Sequence, residues 1–326
     1  MNKSLNQKLE RIQSGHYTAA DFVIADAKDA DMGFGATGPG LVAGSSGRYK
    51  TKQQYLAAMK EMAGSGLVDI MLMSASSAET LGNDNSFKQS AVTPAIRLND
   101  TSDIWVARGS RYRDSASLPF RSALLQAVEH IADLGLYSIT YSNDLQHDIQ
   151  SLQAYRAFRE ELIHSSYNHF LEVFNPAFDI GIAADELGFY INDMIVKTLA
   201  GVTQKEAPLF LKIQFNGYAA MHELAQYDPE NLIVGILGGA KGTSRDTFEL
   251  IHQAEQAGAR VALFGRKINL AESPLLLVSL MRKVIQQEIN PAEAVAEYHG
   301  GLAESGITPD RDIIDDSQIT DTILQA

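Results

Sequence analysis

Lys212 stands in the middle of residues 208–217, Pro-Leu-Phe-Leu-Lys-Ile-Gln-Phe-Asn-Gly. A proline before it and Asn-Gly after it mark the segment as a buried strand. Side chains alternate across a strand, so Leu209, Leu211, Ile213 and Phe215 share one face, and Phe210, Lys212 and Gln214 share the other. An ammonium is costly to bury unless it is paired or deprotonated. On the inner face of an α/β barrel, desolvation would favour the neutral amine, which is a nucleophile. The same spacing also suits a strand lysine that reaches solvent.

Two glycine turns carry a second chemistry. Residues 237–242, Leu-Gly-Gly-Ala-Lys-Gly, follow an apolar run and precede a helix whose start is marked by Thr243, Ser244 and Asp246. Residues 264–268, Phe-Gly-Arg-Lys-Ile, follow the next apolar run. Glycines let backbone N–H groups approach an anion, and helix N-termini add a favourable dipole. Gly238, Gly239 and Gly265, with Lys241 and Arg266 beside them, therefore read as a phosphate site.

The elements that must hold these residues follow from periodicity. Strand signals fall at 22–26, 67–73, 93–99, 136–141, 170–174, 208–217, 231–237 and 260–264, with helical patterns at 51–63, 121–134, 145–165, 192–199, 243–257 and 274–287. Eight strands alternating with helices predict a (β/α)8 TIM barrel, in which the glycine turns follow strands seven and eight. A doubly wound sheet would leave strands over. With no internal repeat and no linker, residues 1–326 read as a single domain. An amphipathic helix at 3–14 packs over one end, the barrel spans about 20–288, and an acidic tail covers 289–326, its helix at 291–302.

Other residues are placed to act. A glycine-rich loop at 32–47 lies beside three acids, Asp26, Asp29 and Asp31, and a loop of that length is usually functional. Arg97, on the third strand, shares a face with Ala95 and Asn99 and suits either a second anionic group or a salt bridge. A basic insertion at 108–113, Arg-Gly-Ser-Arg-Tyr-Arg, could be functional or simply solvated.

Composition excludes several classes. There are no cysteines, so thiol nucleophiles, thiolate metal sites and disulfides are out. A formal charge of −13 argues against nucleic-acid and anionic-membrane partners. No apolar run is long enough to span a bilayer, and residues 1–8 lack a signal-peptide core, so a cytoplasmic protein is expected. The eight histidines form no HExxH or other tight cluster, so neither a metal nor another cofactor is expected.

Residues 211–215 (Leu-Lys-Ile-Gln-Phe), Gly238-Gly239, Gly258-Ala259 and 265–268 (Gly-Arg-Lys-Ile) together resemble the C-terminal half of class I, Schiff-base aldolases of the DeoC/FbaB/LacD superfamily. The archaeal-type fructose-bisphosphate aldolase branch is most similar. Residues 38–40, 68–72 and 97–102 are similar to family segments in the same order. The resemblance implies a (β/α)8 barrel, a homo-oligomer and a small phosphorylated sugar as substrate. It implies that Lys212 forms a Schiff base with the substrate carbonyl and that Gly238, Gly239, Gly265 and Arg266 bind its phosphate. It also implies an aspartate near the lysine: spacing to Gly38-Pro39 favours Asp31, and the strand boundary favours Asp26.

Two features depart from the family pattern. The histidine of its Asp-His-Gly motif is absent, and Asn175 stands where a proton-transferring tyrosine is expected. Glu172 or Tyr141, both near strand ends, could take that role. The expectation is a metal-independent aldolase acting on a phosphorylated ketose. A thiolase-like retro-Claisen enzyme on a phosphorylated diketone, or a phosphosugar isomerase or binding barrel, are the alternatives.

Overall fold

The computed structural model describes residues 2–42, 45, 47–104 and 107–325. Among the described residues ten strands run in chain order: β1 (Val23–Lys28), β2 (Ile70–Met73), β3 (Thr93–Arg97), β4 (Asn99–Thr101), β5 (Pro119–Arg121), β6 (Leu134–Thr140), β7 (Asn168–Phe174), β8 (Leu211–Ile213), β9 (Gly235–Leu237) and β10 (Val261–Phe264). Eight of them close a parallel barrel in the order β1-β10-β9-β8-β7-β6-β3-β2, and β4 pairs with β5 as a separate antiparallel ribbon. The barrel is the expected one.

Alternation divides its side chains into two cores. Val23, Ala25, Ile70, Leu72, Ala95, Leu136, Phe170, Phe210 and Leu263 fill the interior. Ile24, Met71, Ile96, Tyr137, Leu171, Leu211, Ile236 and Ala262 face the helices. The first helix, Ser4–Gln13, places Leu5, Leu9 and Ile12 on one face at intervals of about one turn, and they pack into the interior cluster as a plug. The opposite end, where the strands finish, stays open to polar groups.

The deviations from expectation have local causes. β8 spans only three residues, and Leu209 packs against the interior cluster instead of sharing the outer face with Leu211. Gly135 follows the helical pattern read at 121–134. It lies inside β6, where a Cβ would come within 2.6 Å of Leu98 and 2.7 Å of Tyr167. Pro119–Arg121 joins the β4–β5 ribbon, which leaves only a turn of helix at Leu125–Val128. The glycine-rich loop opens with a short helix, Ala30–Phe34, and a 3-10 turn, Gly35–Thr37; its Ala43, Gly44 and Ser46 lie outside the described residues.

The C-terminal segment folds back on the barrel. After a helix at Pro291–Glu304, Asp316 accepts a hydrogen bond from Ser244 N at 2.8 Å, and Thr320 N donates to Asp246 at 2.7 Å. Both contacts brace the loop that follows β9. No helix among the described residues is long and apolar enough to cross a membrane.

Candidate active site

Lys212 points into the barrel, as its strand spacing requires, and only 5% of it is exposed. Parallel pairing sets Glu172 of β7 opposite Lys212 of β8, and Ser138 of β6 opposite Glu172. Cross-strand neighbours on one face touch. Lys212 Nζ lies 2.6 Å from Glu172 Oε1, while Ser138 Oγ donates to Glu172 Oε2 at 2.8 Å. Asn99 fixes Ser138 in turn: its Oδ1 accepts from Ser138 N at 2.5 Å, and its Nδ2 donates to Ser138 O at 2.7 Å.

Arg97 enters the same cluster from β3. It donates to Asp29 at 2.7 Å and to Asp100 at 3.1 Å, and it lies 3.3 Å from Glu172. Burial opposes its charge, but the carboxylates of Asp100, Glu172 and Asp29 overcome that and hold it above its ordinary value. All the sides of this guanidinium that face acids are thus taken. Its Nε donates to Asn99 O at 3.0 Å, so Arg97 makes the salt bridges that its strand position allowed.

The aspartates sort differently from expectation. Along β1, Ala25 and Ala27 face the interior, so the period of two carries the next inward position to Asp29. Asp29 lines the cavity with Lys212. Burial raises its carboxyl, but the charges of Arg97 and then Lys212 outweigh this and hold it below the usual range. Asp26 shares the outward face with Ile24. It is buried there, 3.0 Å from Lys28, and desolvation raises its carboxyl against the pull of Lys28. Asp31 binds Lys52 Nζ at 2.7 Å and Ser74 Oγ at 2.9 Å, in a neighbouring hollow. Neither sequence-chosen aspartate reaches the lysine's cavity. Asp29, which does, could have been found from the two small inward residues before it.

The glycine turns meet at the same cavity, a hollow of ≈ 130 Å³ whose walls include Asp29, Phe34, Arg97, Asp100, Glu172 and Lys212, together with Gly238, Gly239, Gly265 and Arg266. Gly239 has φ +66°, the left-handed region that glycine adopts without strain. Arg266 is braced by donating Nε to Gly239 O at 3.0 Å and by lying 5.3 Å over the Phe34 ring. Burial, and then the nearby charge of Arg113 from the basic insertion, lower its affinity for a proton. No carboxylate among the described residues lies within 4.0 Å of it, so an incoming anion would supply the missing counter-charge.

Lys241 turns away. It pairs with Asp310 at 2.5 Å and lies 3.6 Å from Glu272, outside the cavity. Asn175, which stands where the tyrosine was expected, and Tyr141, one of the two candidates for its role, both lie away from the lysine. Tyr141 faces the helices and bonds Thr198 at 2.8 Å, and Asn175 exchanges hydrogen bonds with Asn216. Only Glu172 lies at the lysine. Larger hollows of ≈ 620 and ≈ 710 Å³ exist elsewhere, but neither contains Lys212 or a glycine turn, and volume alone does not supply chemistry. Among the described residues, no group of three or more His, Asp or Glu is arranged to hold a metal ion.

The chain matches no protein-family model and no curated protein sequence. Solved structures match its fold. An archaeal fructose 1,6-bisphosphate aldolase superposes with TM-score 0.63 at 12% identity, covering 87% of this chain and 99% of that one. An archaeal fructose-1,6-bisphosphate aldolase with its catalytic lysine covalently bound to the carbinolamine intermediate gives TM-score 0.63 at 13% identity, over 86% of this chain and 99% of that one. The fructose-bisphosphate aldolase from Slackia heliotrinireducens gives 0.64 at 11%, over 91% and 90%. The barrel is therefore shared with Schiff-base aldolases of the branch that the sequence resembles.

Proposed function

We propose that this protein is a class I aldolase that cleaves or forms a carbon–carbon bond in a phosphorylated ketose. One observation carries the reading: an inward lysine in contact with a carboxylate shares a cavity with two glycine turns and an arginine that has no acidic partner among the described residues. A nucleophilic lysine must lose a proton before it attacks a carbonyl. Glu172, 2.6 Å away, is placed to accept that proton, and Ser138 and Arg97 steady the carboxylate that receives it. The resulting carbinolamine loses water to give an iminium. The iminium draws electrons from the bond one carbon further along, so that bond breaks to leave an aldehyde and an enamine. Protonation of the enamine and hydrolysis return the lysine.

Gly238, Gly239, Gly265 and Arg266 would hold the substrate phosphate, which fixes the distance from anion to carbonyl. Asp29, kept charged by Arg97 and Lys212, would orient the lysine. The sequence resemblance adds the expectation of a homo-oligomer, and the apolar patterning of the chain adds that of a cytoplasmic protein.

Borohydride reduction in the presence of dihydroxyacetone phosphate or fructose 1,6-bisphosphate, followed by intact-mass measurement, tests the reading. A stable adduct that maps to Lys212 and is lost in Lys212→Met is expected. Binding of either compound without any adduct would favour a phosphosugar isomerase or a binding barrel. Cleavage that requires coenzyme A would favour the retro-Claisen reaction.

A further inference from the structure

From the geometry of the cavity we infer that Asp100 is the acid–base group that moves protons on the substrate itself. The inference rests on the Schiff-base reading and supplies what that reading lacks. Glu172 is committed to Lys212, Ser138 and Arg97, whereas bond cleavage needs a separate base at the substrate hydroxyl.

Asp100 has the features this requires. It is 1% exposed and lines the cavity that holds Lys212. The β4–β5 ribbon holds its backbone, with Asp100 opposite Phe120. Its Oδ1 is anchored by Thr101 N at 2.9 Å and Arg97 at 3.1 Å. Its Oδ2 is buried and has no hydrogen-bond partner among the described residues. That oxygen lies 3.9 Å from the position of the Cβ that Gly33 lacks, and Gly33 lines the same cavity. A buried carboxylate oxygen left unpaired is costly, and a substrate hydroxyl would satisfy it.

The electrostatics separate it from its neighbour. Arg97 from β3, Glu172 from β7 and Asp29 after β1 surround it, with Lys212 across the cavity. Desolvation raises the Asp100 carboxyl, and Arg97 only partly offsets this, whereas Asp29 is lowered. Two carboxyls pushed in opposite directions divide the roles: Asp29 stays charged, and Asp100 can take and return a proton.

The step balances. Asp100 carboxylate removes the proton from the hydroxyl two carbons from the iminium carbon. The O–H electrons form the aldehyde carbonyl. The carbon–carbon bonding pair becomes the enamine double bond, and the iminium pair moves onto nitrogen. Protonated Asp100 then gives its proton to the enamine carbon, which restores the iminium for hydrolysis.

The test uses dihydroxyacetone phosphate in deuterated water with the full chain, because exchange of its carbon-bound proton reports enamine protonation without cleavage. Wild-type protein should be trapped by borohydride and should exchange. Asp100→Asn should still be trapped at Lys212 but should lose exchange by at least about 100-fold, the usual scale for removing an acid–base group, and Asp100→Glu should recover part of it. Exchange by Asp100→Asn at the wild-type rate would overturn the assignment, as would loss of trapping in a folded Asp100→Asn protein. If that variant does not fold, the wild-type pH profile decides: exchange must fall on acidification through a carboxyl above the usual range, and a flat acid limb excludes Asp100. A wild-type protein that is never trapped, with this probe or with fructose 1,6-bisphosphate, removes the Schiff-base reading and this inference with it.

Discussion

Lys212 and Glu172 face each other across β8 and β7, with Nζ and Oε1 2.6 Å apart and both side chains almost wholly buried. The pair sits where three carboxylates and two cations share one wall of the barrel, so a change in either partner acts on chemistry and on stability together. Glu172→Gln removes the proton acceptor while keeping the shape. Turnover should fall by roughly 10²–10⁴-fold, and the thermal midpoint should fall too, because a buried charge loses its partner. Steady-state kinetics with thermal melts would show it. Unchanged turnover would refute a role for Glu172 in proton transfer.

Arg266 lines the cavity and has no acidic partner among the described residues. Its Nε is spent on Gly239 O, and the rest of the guanidinium remains for an anion. Arg266→Met should weaken binding of a phosphorylated substrate by about 1.5–3 kcal/mol, the worth of hydrogen bonds to a charged group, or roughly 10–100-fold in KM. Trapping of an unphosphorylated ketone such as dihydroxyacetone should change little. Equal losses for both compounds would argue against a phosphate contact.

His169 gives a pH dependence that needs no substrate. It is buried beside Phe158 and bonded to the Tyr155 hydroxyl at 2.8 Å, and burial pushes its imidazole down to about 3 from 6.5, with the charge of Arg159 adding to the effect. Between those values the unfolded chain binds a proton that the folded chain does not, so stability falls as pH drops from 6.5 toward 3. The slope from this residue is at most about 1.4 kcal/mol per pH unit. Urea melts between pH 7 and 5, compared with those of His169→Gln, should show a shallower acid loss in the variant.

Gly235 is the test of packing. A Cβ there would come within 2.6 Å of Leu211 O and 2.8 Å of Val261 Cβ, in the strand next to the one that carries Lys212. Gly235→Ala should cost about 1–3 kcal/mol through overpacking and should lower the thermal midpoint. An unchanged midpoint would mean that the barrel relaxes more easily than its close packing implies.

Much of this arrangement is local and was legible in the chain. Apolar alternation and strand count determine the barrel, the face on which Lys212 projects and the order of the glycine turns after its last two strands, because each depends on neighbours in sequence. Even Asp29 was within reach, since Ala25 and Ala27 mark the inward face two and four residues earlier. What no local pattern contained is register and the direction of loops. Only closure of the barrel sets Glu172 against Lys212, turns Arg97 onto three acids, sends Lys241 to Asp310 and folds the β4–β5 ribbon so that Asp100 lines the cavity with one buried oxygen unpaired among the described residues. Side-chain alternation follows from one strand's own geometry, whereas contacts between strands depend on how far each slides along its neighbour. The sequence alone therefore put Lys212 on the inner face of the barrel, and the tertiary structure decided which acids surround it.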